Sequence, residues 1–253
     1  MKYDEVNVAG WNILKVDILG APEIISQAQI IAEKKAKYVR EGDPAGRMRD
    51  ESERISQNFL GALADISCTR LLRTYFRKHN FPIKVESYDE VRNDNFEHAD
   101  KFDISLTSDY YQAVVEVRSS ICIKKSLQGL INDWHILGAY QSKEKGNFET
   151  EKEFYIRPMF HLKRYKDNYK ENFYRRSEGM QLIKNGEVDL YILGGATAEI
   201  MSGHKAWDEK GETLKQGESN FRVIYIKDGL QTKDFLELIA LEMVGNNNFS
   251  GSS

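Results

Sequence analysis

The sequence predicts an α/β protein, one domain over residues 1–245 with a mixed central β-sheet flanked by helices. Three observations predict it. Short runs at 102–106 and 113–118 alternate apolar and polar residues, the period of a half-buried strand. Runs at 22–39, 55–79 and 233–244 place apolar residues at helical spacing, the period of an amphipathic helix. Strand-like and helical stretches then interleave along the chain, which is the order of an α/β fold.

Taken in order, residues 8–18 (VAGWNILKVDI) read as the first strand. Pro22-Glu23 open a helix, PEIISQAQIIAEKKAKYV, with proline in the first turn where its missing N–H costs nothing. The stretch 40–54, REGDPAGRMRDESER, is charged and broken by Gly42, Pro44 and Gly46, so it reads as a loop and as a candidate lid or hinge. A long helix follows, with Phe59, Leu60, Leu63, Ile66, Leu71 and Tyr75 as its buried stripe. Gly61 inside it lowers helix propensity and predicts close approach of another backbone. A strand is expected near 81–87, then the two short strands. Ile121, Cys122 and Ile123 extend the second of these, and Ser126 caps a helix containing Leu127, Leu130, Ile131, Trp134 and Leu137. FYIRPMFHL (154–162) reads as a strand that Pro158 confines to an edge or kinks. VDLYILGG (188–195) reads as a buried strand, FRVIYIKD (221–228) as another, and KDFLELIALEMV (233–244) as the last helix. Residues 246–253 are expected to form a disordered tail.

Composition narrows the function. Hydrophobic residues make up 41% and charged residues 30%, and no apolar run is long enough to span a bilayer, so a membrane protein is not expected. The amino terminus carries early acids and no continuous apolar stretch, unlike a secretory signal, which makes the cytoplasm the expected location. Cys68 and Cys122 sit in apolar surroundings and suggest no disulfide framework. The histidines lack metal-ligand spacing and there is no CxxC pair, which argues against zinc. The net charge of −3 argues against phosphate binding by the whole surface and leaves room for a local basic patch.

The chemistry concentrates in Lys101–Ser120, KFDISLTSDYYQAVVEVRSS. Phe102, Ile104 and Leu106 share one strand face and Asp103 and Ser105 the other; Val115 and Val117 oppose Glu116 and Arg118. Asp103 and Glu116 are therefore placed to converge at a sheet margin with a cation beside them. Two carboxylates with a basic neighbour are what a divalent-metal phosphodiesterase site requires. The competing reading is an ordinary Glu116–Arg118 ion pair on a half-solvated strand.

The order helix, strand, Asp103, Glu116-Val117-Arg118 resembles the PD-(D/E)xK nuclease superfamily over about residues 51–125, with a nuclease-like core at about 51–140. The resemblance implies a restriction-endonuclease-like fold. It also implies metal-dependent endonucleolytic cleavage of DNA of the restriction or phage-defence kind. Asp103 and Glu116 would hold Mg²⁺ (or Mn²⁺), helped by the carbonyl of Val117. NFLGALAD resembles the family's acidic helix, with Asp65 assisting the metal or, in the plainer reading, pairing with Arg70 or Arg54. Two departures stand out: Phe102 where the family often has proline, and Arg118 where it usually has lysine. Arginine stays protonated, so Arg118 is expected to neutralise phosphate rather than act as a base. Lys101, Lys124 and Lys125 are candidates for a displaced amine. Because two strands call for two sites, the resemblance also implies a homodimer.

The segment 160–176 interleaves Lys163, Arg164, Lys166, Lys170, Arg175 and Arg176 with Phe and Tyr, which suits nucleic-acid binding by phosphate neutralisation and base stacking. Two other readings stay open. One is a catalytically decayed nucleic-acid-binding protein on the same fold. The other is a small-molecule or nucleotide-binding α/β protein using Gly194-Gly195 at a strand end.

Overall fold

The computed structural model describes residues 1–42, 48–142, 149–163, 176–210 and 219–245. Strands β1 (Tyr3–Val8) and β2 (Trp11–Val16) open the chain, followed by helices α1 (Pro22–Lys35) and α2 (Glu51–Lys78). Next come β3 (Lys84–Ser87), a single helical turn α3 (Tyr88–Val91), β4 (Ile104–Thr107), β5 (Gln112–Val117) and β6 (Ser120–Cys122). Then α4 (Leu127–Asp133), β7 (His135–Ser142), β8 (Phe154–Leu162), α5 (Gly179–Lys184) and β9 (Val188–Thr197). The chain closes with α6 (Ala198–Ser202), β10 (Trp207–Lys210), β11 (Ser219–Tyr225) and α7 (Thr232–Val244).

The main sheet runs β1-β2-β9-β8-β5-β4-β3, with β6 beside β8. It is mixed and mainly antiparallel; β5 and β6 both lie parallel to β8. A smaller antiparallel sheet has the order β10-β11-β7. One face of the main sheet buries Ile104, Val115, Phe154, Ile156, Leu190 and Ile192 against α1, α2 and α7. The other buries Tyr155, Met159, Tyr191 and Leu193 against α4, α6 and β11. Since β9 is covered on both faces, its sequence runs without polar alternation from Leu190 to Ala196.

Several elements differ from the sequence reading. The first strand is a hairpin, because Ala9 (φ 52°) and Gly10 (φ 88°) form the two-residue positive-φ turn that matches strand twist. Helix α2 starts at Glu51, inside the expected loop: Asp50 accepts from the Glu53 amide, and Glu51 and Glu53 suit the positive end of the helix dipole. Residues 43–47 of that loop, and the tail 246–253, lie outside the described residues. A Cβ on Gly61 would meet nothing within 4 Å, so no backbone approaches it.

Ser126 does cap α4, its Oγ accepting from the Gly129 amide at 3.1 Å. That helix ends at Asp133, however, and Leu137 belongs to β7, because pairing with β11 overrides the helical spacing. β8 is central rather than an edge. Pro158 is tolerated because the β8–β9 register shifts between Ile156 and Pro158, and on the other side β5 gives way to β6 at the same level.

A candidate carboxylate site at the open end of the β4–β5 hairpin

Ile104 pairs with Val115 and Ser105 with Val114, so the same register carried one step further puts Asp103 opposite Glu116. Both sit at the open end of the hairpin, away from the 108–111 turn. Asp103 Oδ2 accepts from the Val117 amide at 2.7 Å, which fixes the carboxylate against β5. The Val117 N–H is thus what the structure shows engaged.

Burial raises the proton affinity of both acids at this end, and Glu116 adds to the rise at Asp103, while its hydrogen bond with Asp103 lowers that of Glu116. Burial pushes the Asp103 carboxyl up to about 7, Glu116 adds to the rise, and the Val117 amide and Arg118 oppose it. Burial also holds Glu116 above its usual range, with Arg118 the main opposing influence. Asp65 belongs to the same electrostatic neighbourhood. Burial raises it first and Asp103 second, while the charge of Lys35 lowers it. Asp65 takes neither of its expected partners, since Arg70 pairs with Glu23 at 2.8 Å and Arg54 with Glu41 at 3.7 Å.

Arg118 projects into this end of the sheet. One of its terminal nitrogens lies 3.0 Å from Glu116 Oε1 and 2.5 Å from Glu149 Oε2. Its guanidinium carbon stands 5.5 Å from the centre of the Tyr140 ring. Beneath it, Arg157 is completely buried. It donates from Nε to His135 O at 2.8 Å, from one terminal nitrogen to Arg118 O, and from the other to Ser120 Oγ at 3.0 Å. These acceptors are neutral, and burial, with Arg118 adding to it, pushes the Arg157 pKa down. Arg157 therefore clasps the break between β5 and β6, from which Arg118 projects.

Lys35 closes the Asp65 side, 2.9 Å from Asp89 and 2.6 Å from Asp100. Arg92 shares those acids and also binds Asp94, so the 88–100 connection is tied to α1 by a paired network. The expected displaced amines are elsewhere. Lys125 pairs with Asp133 at 2.9 Å, Lys101 is exposed, and Lys124 is in the turn after β6. The amines whose charges bear on the acids are Lys35, on Asp65, and Lys152, on Glu116.

Sequence reasoning missed Glu149, Arg157, Lys35, Lys152 and Tyr140. Only Arg157 had a local signal, a cation in the middle of the apolar run FYIRPMF. Of the basic segment, Lys163 pairs with Asp189 at 3.1 Å and Arg176 opens the short turn before α5. Arg164, Lys166, Lys170 and Arg175 lie outside the described residues. Both cysteines are free and buried.

Gly194 and Gly195 lie within β9 rather than at its end. A Cβ on Gly194, at φ +124°, would stand 2.0 Å from Leu230 O, and the Gly195 amide donates to that same oxygen at 3.0 Å. The pair is required by the 229–231 segment crossing the sheet, and the Gly195 amide already has its acceptor.

Among the described residues no group of three or more His, Cys, Asp or Glu side chains is placed to hold a metal ion, so Asp65 does not join Asp103 and Glu116 in one ligand set, and no helix is long and apolar enough to cross a membrane. Mg²⁺, though, commonly uses one or two carboxylates and completes its shell with water and substrate phosphate. Asp103 and Glu116 fit that donor set, and a cation would offset the burial cost that raises the proton affinity of both carboxyls.

No protein-family model matches the chain, and no solved structure matches it. The chain is similar, at 26% identity over 234 residues, to the uncharacterized protein MJECS01 of Methanocaldococcus jannaschii, across 86% of this chain and 82% of that protein.

Proposed function

We propose that this protein is a divalent-metal-dependent nuclease that hydrolyses phosphodiester bonds in DNA, on a restriction-endonuclease-like core. The observation that carries the reading is the placement of Asp103 against Glu116, with Arg118 beside them and Asp65 within their field.

Asp103 and Glu116 would hold Mg²⁺ or Mn²⁺, with the Val117 carbonyl as the further contributor the resemblance implies and Asp65 outside the ligand set. When bound, the metal supplies an acidified water and offsets charge on the phosphate. The Val117 amide keeps Asp103 turned toward Glu116. Arg118, permanently protonated, neutralises the phosphate oxygens and is not the base. Lys152 is an amine whose charge bears on Glu116. Arg157 holds the strand break that aims Arg118. The basic, aromatic segment 160–176 would track the nucleic-acid backbone, and a homodimer would serve to cut both strands.

A second reading, a nucleic-acid-binding protein with a decayed site, is favoured by one observation. The residue in the lysine position is an arginine already engaged by two carboxylates. Incubating plasmid and single-stranded DNA with Mg²⁺, Mn²⁺ or EDTA separates the two. Metal-dependent cutting is expected; binding without cutting under any metal leaves the second reading. The nucleotide-binding reading has lost its carrier, because backbone packing accounts for Gly194 and Gly195.

A further inference from the structure

The two acids that share Arg118 are not equivalent. Glu116 lies two residues back on the same strand, and its side chain is 10% exposed. Glu149 comes from the β7–β8 connection, is 25% exposed, and is anchored by its amide to Tyr140 O at 2.8 Å. Glu149 is therefore the more solvent-accessible of the two carboxylates on that guanidinium. Arg118 Nε, meanwhile, is buried and has no hydrogen-bond partner among the described residues. A guanidinium offers Nε and a terminal nitrogen as a planar fork that matches two oxygens of one oxyanion. Here one terminal nitrogen serves both carboxylates while Nε stays empty, and an unsatisfied buried donor is costly.

We propose that Glu149 is an internal stand-in for a phosphate group. It occupies the anion position of Arg118 in the resting protein and leaves when a phosphate engages the guanidinium through both arms of the fork. The exchange satisfies Nε, which Glu149 in its present position does not, and returns Glu149 to water. It rests on the nuclease reading only for the identity of that phosphate as part of a nucleic acid; the exchange at Arg118 rests on the geometry.

Binding of inorganic phosphate to the full chain in EDTA, followed by calorimetry, tests it. Glu149→Gln is expected to bind phosphate about tenfold tighter than wild type. Glu151→Gln, which removes a nearby charge that does not touch Arg118, should stay within about twofold. The gain should vanish in the double variant Glu149→Gln/Arg118→Met. An equal gain from Glu151→Gln, a gain that survives without Arg118, or no gain in a Glu149→Gln protein that melts like wild type would each overturn the proposal. Glu149→Ala is read in the same way should the glutamine variant fold poorly. Phosphate exchange as expected with no DNA cleavage keeps the stand-in and removes the nuclease. Weaker Mn²⁺ binding by Glu149→Gln, with phosphate binding unchanged, makes Glu149 a metal carboxylate and overturns the stand-in.

Discussion

At the scale of single residues, Asp103 is held by two opposing forces. Burial and the neighbouring Glu116 favour its protonated form, and the Val117 amide and Arg118 favour the carboxylate. A carboxyl whose pKa rises on folding binds its proton more tightly in the folded chain, so its share of stability is present at low pH. That share is lost as the pH climbs from the ordinary carboxylate value through about 7. His135 acts in the opposite direction. Burial lowers it to about 4, so its contribution is present above its usual value of 6.5 and is lost as the pH falls toward 4.

Comparing wild type with Asp103→Asn in EDTA isolates the first effect. The variant should melt higher than wild type at pH 8, by roughly 3 °C or more, with little difference at pH 5. An equal difference at both values would mean that Asp103 titrates normally. The opposition of Asp103 and Glu116 was legible in the sequence because both lie on one hairpin, where alternation and register decide which side chains meet. The convergence of Glu149, Arg157 and Lys35 was not, because they reach the site from the β7–β8 connection, β8 and α1, and only tertiary packing brings those together.

Elements show where local rules hold and where packing overrides them. α1, α2 and α7 were readable because their apolar spacing recurs over several turns, with Pro22 opening α1, whereas the first-turn acids of α2 were read as loop. The β1–β2 turn was missed because Ala9 takes a conformation usually left to glycine or asparagine. α4 was overextended because the first residues of β7 are as apolar as a helix face. The glycines give two opposite expectations. Gly61→Ala should stabilise the protein by about 1 kcal/mol, since the site is helical and open. Gly194→Ala should destabilise it by about 3 kcal/mol or more, since both its φ and Leu230 O forbid a side chain. Urea unfolding measures both; a neutral Gly194→Ala would mean that the 229–231 segment does not press on β9. Removing the α2 cap with Asp50→Ala should cost about 1 kcal/mol in the same assay.

For the whole molecule, the mixed sheet with helices across it was foreseeable from interleaved patterns, but its strand order was not. The parallel join of β8 to β5 and β6 brings the β7–β8 connection and Arg157 up to the carboxylates, and no local pattern specifies that pairing. The same join puts a fully buried cation beside the place where β5 gives way to β6 along β8. The central claim is that this convergence cleaves DNA through Asp103 and Glu116. Its most direct test is plasmid cleavage in Mn²⁺ by wild type, Asp103→Asn and Glu116→Gln, each confirmed folded by its melting curve. The account predicts cutting by wild type, abolished by EDTA and reduced by about a hundredfold or more in both variants. Cutting that survives both substitutions would contradict it.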